Sequence, residues 1–254
     1  KTPIVKVIPA VVNAMKMLKQ LDIIDDYIKV NRAYEMKRGS FDYARTQISQ
    51  MYENYKENGG VDKVYKKAMQ MLSEVPIKNI DEDKKIRIGI VGEIYIAMEP
   101  SANVYIEKRL NELGVEVFNV QRISSWVEHN ILPRKINKSK GWKMWTKAEK
   151  YKSCNCGGHD MENTGWIMEF ADMGYDGVIH LMPFACLPEL ITRSIIPQMC
   201  EDMDLPILSM SIDEQTGEAN TQTRLEAFVD LCRNKKLFKN GKSTKKQSNV
   251  LLEV

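Results

Sequence analysis

The sequence predicts an α/β protein, a mainly parallel sheet covered by helices and preceded by a helical segment. Two observations carry this. Short β-branched runs at residues 86–91, 115–120, 176–181 and 205–212 alternate with stretches of helical periodicity, the signature of successive βαβ units. Upstream of the first run the apolar residues return at helical spacing instead.

The helical segment comes first. Val11, Val12, Met15, Leu18, Leu21 and Ile24 mark one face of a helix over 11–28. A second helix is read over 41–55, interrupted by Gly59-Gly60, and a third over 61–72. Pro76 and the run Asp81-Glu82-Asp83-Lys84-Lys85 read as a linker, which sets a boundary near residue 80. The α/β domain then takes 81–235 and a basic, flexible tail 236–254.

Within the α/β domain, the strand at 86–91 passes through Gly92 to a helix over 102–113 with Ser101 as its cap, then to the strand at 115–120. Helices over 164–173, 188–203 and 222–234 accompany the last two strands. Residues 121–163 read as a long irregular stretch holding Trp126, Trp142, Trp145 and two cysteines, and stretches of that length in this position tend to be functional.

Composition narrows the function classes. A chain of 254 residues, 43% hydrophobic, buries a sizeable core, and no apolar run reaches bilayer length. The sequence opens at Lys1 within a helix-like stretch, as a piece of a longer protein would. Five cysteines, an odd number without a secretory signal, point to reduced thiols and a cytoplasmic location. The net charge is only +3, and Arg233, Lys235, Lys236, Lys239, Lys242, Lys245 and Lys246 read as a solvated terminus and not a nucleic-acid surface.

In open α/β sheets ligands gather beyond the carboxyl ends of the strands, so the segments that follow the strands are the candidates for chemistry. Gly92-Glu93 leaves the first strand as a turn glycine with a carboxylate that is either solvated or turned to a ligand. Pro183-Phe184-Ala185-Cys186-Leu187-Pro188-Glu189 places Cys186 at a helix amino terminus, which favours a thiolate for metal binding or nucleophilic attack; a packed apolar thiol is the other reading. Cys154-Asn155-Cys156-Gly157-Gly158-His159 gathers two thiols and an imidazole, although C-x-C is not zinc-knuckle spacing. Asp213, Glu214 and Glu218 follow the last strand, where they orient a ligand or pair with Arg224, and Thr223 and Glu226 have capping-box spacing. Cys200, Cys232 and His180 read as packed core groups.

Three of these segments, with Ile212-Asp213-Glu214 and the run 223–230, together resemble the 2-hydroxyglutaryl-CoA dehydratase D-component family, in its branch related to CoA-substrate-specific enzyme activases. The resemblance covers residues 86–233. It implies a flavodoxin-like α/β domain, one of two that face each other and hold an iron-sulfur cluster of the 4Fe-4S type between them. It further implies electrons delivered by an ATP-dependent activator protein with a cluster of its own. Cys186 would be the cluster ligand, with Cys154 and Cys156 as auxiliary ligands if their loop folds back, and Glu93, His159, Glu189, Asp213 and Glu214 lining the site. The family's other ligand domain is not read between Lys1 and Lys85, so it would lie on a missing upstream domain or a partner subunit, and the cluster would then be incomplete on this piece. No membrane and no nucleic acid are expected as partners. The alternatives are a noncatalytic scaffold that binds the activator without metal, and a cluster-free enzyme with Cys186 as nucleophile and His159 as base. No P-loop pattern is present.

Overall fold

The computed structural model describes residues 4–131 and 140–250, with side chains over 9–130 and 140–239. Four strands, β1 (Ile86–Gly92), β2 (Val115–Asn119), β3 (Gly177–Pro183) and β4 (Ile207–Ile212), form one sheet in the order β2-β1-β3-β4. Every pairing is parallel, Ile86 opposite Val115, Ile88 opposite Gly177 and Val178 opposite Ile207. This is the flavodoxin-like doubly wound order, as the alternation of strands and helices predicts.

Side chains alternate between the two faces of the sheet. Ile88, Ile90, Ile179 and Leu181 pack under α5 (Ile106–Glu112) and α10 (Glu218–Val250), through Ile106, Leu110, Leu225 and Val229. Val91 and Val178 face the other way, against Ile167 and Phe170 of α8 (Asp160–Asp172) and Ile196 and Met199 of α9 (Leu187–Met203). Gly89 makes room for Phe170, because a Cβ there would stand 2.4 Å from the ring. Cys232 is sealed in the first face and burial pushes its thiol up to about 12; half-buried Cys200 is pushed up for the same reason.

The amino-terminal helices α1 (Ile4–Asn31), α2 (Ser40–Glu53) and α3 (Val61–Ser73) enclose a separate cluster of Ile24, Phe41, Ile48, Val64 and Leu72. They join the α/β part through polar contacts. Asn111 of α5 donates to the Lys29 carbonyl at 2.6 Å and accepts from Arg32 at 2.9 Å, and Arg122 pairs with Asp26 at 2.7 Å.

Several elements differ from the sequence-based reading. Among the described residues, the stretch 121–163 holds α6 (Ile123–Ile131) and α7 (Lys140–Ala148), and α8 begins within it at Asp160. The helix read over 102–113 begins only at Ile106, as α5, and a further short helix, α4 (Ile94–Met98), precedes it across a turn in which Val104 and Tyr105 take φ of 58° and 57°. Asn103, not Ser101, closes that turn, donating to the Ile96 carbonyl at 2.8 Å and accepting from the Ile106 amide at 3.2 Å. Thr223 and Glu226 lie inside α10 and form no capping box, since Thr223 bonds back to the Ala219 carbonyl. The basic residues near the carboxyl end are structural where their side chains are described: Lys236 meets Asp176 at 3.2 Å, Lys239 meets Asp204 at 3.1 Å, and Lys235 also pairs with Asp204. Among the described residues no helix is long and apolar enough to cross a membrane.

Candidate functional site

The switch in winding falls between β1 and β3, so their carboxyl ends open a crevice flanked by two tight turns. Gly92 ends β1 with φ of 142°, its Cα so close to β3 that a Cβ would stand 2.0 Å from the Leu181 carbonyl oxygen. Glu93 follows as the cap of α4, its carboxylate accepting the Ile96 amide at 2.9 Å. Sequence reasoning left Glu93 between solvent and ligand; the structure gives it a helix to cap.

After β3, Ala185 adopts φ of 59° and Cys186 caps α9, its amide bonded to the Pro183 carbonyl at 3.2 Å. Pro188 sits in the first turn, where its missing N–H costs nothing. Cys186 is half-exposed, and its neighbours in the turn, Phe184 and Leu187, are 73% and 65% exposed.

The C-x-C loop folds back toward this turn. Gly158, at φ of 57°, lies against Pro188, where a Cβ would come within 3.2 Å of the proline side chain. The loop is fixed from below by Asp160, which is fully buried, pairs with buried Lys152 and accepts the Cys156 amide at 2.9 Å. The Cys154 and Cys156 sulfurs stand 4.0 Å apart, and desolvation with the neighbouring thiol pushes Cys156 up.

Under both loops runs a buried polar chain that sequence reasoning missed. Glu189, 1% exposed, accepts from the Asn163 amide nitrogen on both carboxylate oxygens, at 2.9 and 3.0 Å, and lies 2.7 Å from His180 Nε2. A carboxylate only accepts, so His180 carries its proton on Nε2, and Nδ1 takes the Ser209 hydroxyl at 3.0 Å. Asn163 in turn accepts the Gly92 amide at 3.1 Å, and Gln121 donates to the Gly92 carbonyl at 2.7 Å. The chain ties β1, β3, β4, α8, α9 and the end of β2 into one rigid floor. His180 is packed, as its strand position predicts, and also bonded on both nitrogens.

The remaining sequence candidates fall elsewhere in role. Asp213 closes its own turn, accepting from Gln215 and Thr216, and Glu214 is exposed beside it. Glu218 pairs with Arg109 at 2.7 Å, while Arg224 donates to the Ser209 carbonyl. His159 precedes α8, and burial pushes its imidazole down. It hydrogen-bonds to no cysteine among the described residues, so the nucleophile-and-base pairing with Cys186 has no contact to rest on. His159 instead lines a cavity of about 480 Å³ beyond β2, together with Trp126, Trp145, Trp166, His129 and Glu162.

Among the described residues no three His, Cys, Asp or Glu side chains form a closed metal-binding group. Three accessible thiols on two packed loops at the crevice nevertheless suit part of a ligand shell completed from another surface.

No curated protein matches the chain. The family profile described as 2-hydroxyglutaryl-CoA dehydratase, D-component, matches residues 29–231, from the end of α1 into α10. That span takes in the whole sheet and also α2 and α3, further upstream than the motifs alone reach. The chain belongs to the 2-hydroxyglutaryl-CoA dehydratase D-component family.

Proposed function

We propose that this dehydratase-like component holds a 4Fe-4S cluster through Cys186, with Cys154 and Cys156 as auxiliary ligands, and receives electrons from an ATP-dependent activator of the kind its family implies. The observation that carries the reading is the contact of Gly158 with Pro188, which sets the C-x-C loop against the turn bearing Cys186 at the switch point of the sheet. When bound, such a cluster supplies the one-electron chemistry.

The chain's own residues do the rest. Cys186 stands at the amino end of α9, ahead of Pro188 in its first turn, which fixes where the thiol is presented. Asp160 and Lys152 hold the C-x-C loop in place, and the floor from Gly92 through Asn163, Glu189 and His180 keeps both turns from shifting. Exposed Phe184, Leu187 and Tyr95 ring the crevice. Covering them with a second protein surface would exclude water from the thiols and supply the remaining ligands. The same exposed ring favours a second reading, a metal-free surface that docks the activator.

Anaerobic reconstitution with iron and sulfide, followed by iron and acid-labile sulfide analysis, separates the two. Bound iron and sulfide that disappear in Cys186→Ala and fall in Cys154→Ala with Cys156→Ala support the cluster. Iron binding indifferent to Cys186, or none even when the protein surface that completes the site is present, favours the docking surface.

A further inference from the structure

The cavity beyond β2 has a chemistry of its own. All four tryptophans of the chain, Trp126, Trp142, Trp145 and Trp166, lie on α6, α7 and α8 around it. Trp126, Trp145 and Trp166 line it directly, while Trp142 and Trp145 stack with each other at 4.9 Å. His129 stacks on Trp142 at 4.4 Å, which fixes the imidazole plane, and its Nδ1 lies 3.2 Å from Glu162 Oε1. Gly141 allows this pair to exist beside α7: a Cβ there would stand 2.5 Å from His129 Nδ1 and 2.7 Å from Glu162 Oε1.

Charge is distributed unevenly around the pair. From α6 and the residue before it, Glu128 is held by Lys19 and Arg122 by Asp26. From α7 comes Lys140, exposed at the rim, with its ammonium over Trp166 at 5.8 Å and no ion pair among the described residues. From the amino end of α8 comes His159. Burial pushes Glu162 up to about 7, and pushes His129 and His159 down, His129 also through repulsion from His159. Both effects favour a neutral acid facing a neutral imidazole over an ion pair.

A cavity with flat aromatic walls, a cation at the rim and a carboxyl inside fits a ligand that is flat at one end and anionic at the other. We propose that it binds a flat, unsaturated or aromatic carboxylic acid, the tryptophan rings covering its faces, Lys140 meeting its charge and Glu162 sharing a hydrogen with its carboxyl oxygen. Two carboxyls brought together in this way retain one proton between them. No cysteine lines the cavity among the described residues, although Gly158 and His159, which follow the C-x-C loop, form part of its wall.

Isothermal titration of the full chain with sodium cinnamate, with no iron present, tests it. Binding requires protonated Glu162, so the apparent Kd is expected to weaken about 30-fold between about pH 6 and about pH 8.5. Glu162→Gln keeps a donor and cannot ionise; it is expected to bind with one affinity at both pH values. Lys140→Ala, a change on the surface, is expected to weaken binding by about fivefold or more at either pH. No saturable heat at about pH 6, a pH slope that survives in Glu162→Gln, or full affinity in Lys140→Ala would each overturn the proposal. Iron and sulfide content is untouched by all three outcomes, so the cavity and the cluster stand or fall separately.

Discussion

Gly92 occupies a place that no side chain can share. Both its conformation and its contact with Leu181 exclude a Cβ, and its amide and carbonyl anchor Asn163 and Gln121. Gly92→Ala is therefore expected to cost about 3 kcal/mol or more, from backbone strain together with displacement of β3. Gly174→Ala is the control: its φ of 71° is also left-handed but open space surrounds it, so strain alone should cost about 1–2 kcal/mol. Urea denaturation of both variants measures the difference, and equal losses would show that the strand end gives way. At this scale the sequence was readable where the backbone dictates the residue. A chain that turns sharply off a strand calls for glycine, and Pro188 marks a first helical turn that places Cys186 at the helix amino terminus. Glu189 was picked out by position, but Asn163, Gln121 and His180 were not seen as its companions. They reach it from separate elements, and nothing local in a sequence records that a polar side chain is satisfied from afar.

The loop between α7 and α8 shows how one buried pair sets an element. Lys152 and Asp160 are 6% and 0% exposed, and the same carboxylate holds the Cys156 amide. Asp160→Ala leaves a buried ammonium without its partner and is expected to cost about 3–5 kcal/mol. Asp160→Leu with Lys152→Met removes both charges and should recover much of that stability. The double variant still lacks an acceptor for the Cys156 amide, so thiol reagents should label Cys154 and Cys156 faster than in the wild type even when the fold is restored. Labelling at the wild-type rate would show that Asp160 does not hold the loop. The short helices nearby escaped sequence reading for a physical reason. Within α7 only Met144 and Ala148 are buried, so two positions had to carry the periodic signal through a run of lysines and tryptophans. The break between α4 and α5 falls on Val104 and Tyr105, residue types that seldom adopt positive φ and so leave no turn signal.

The sheet itself was legible because a parallel strand is buried on both faces and writes its burial as a continuous β-branched run. What the sequence does not carry is how the three amino-terminal helices sit on it, since that junction is polar and its partners are distant in the chain. Asp26 of α1 lies in this junction beside Arg122 and Lys29, yet burial outweighs their attraction and pushes its carboxyl up to about 6. Its folded value therefore exceeds the ordinary 3.8, and folding takes up a proton between the two. The stability that this group contributes is complete below the unfolded value and is lost as pH rises through about 6. The gap corresponds to about 3 kcal/mol above neutrality. Asn reproduces the shape of the protonated acid and never ionises. Asp26→Asn is thus expected to be more stable than the wild type by about 1–3 kcal/mol at about pH 8, with the advantage vanishing toward about pH 4. Other titrating groups are common to both proteins and cancel in the difference between their urea midpoints. A variant less stable than the wild type at about pH 8 would mean that the Arg122 pair holds the two parts together as charges, and that attraction rather than desolvation governs the junction.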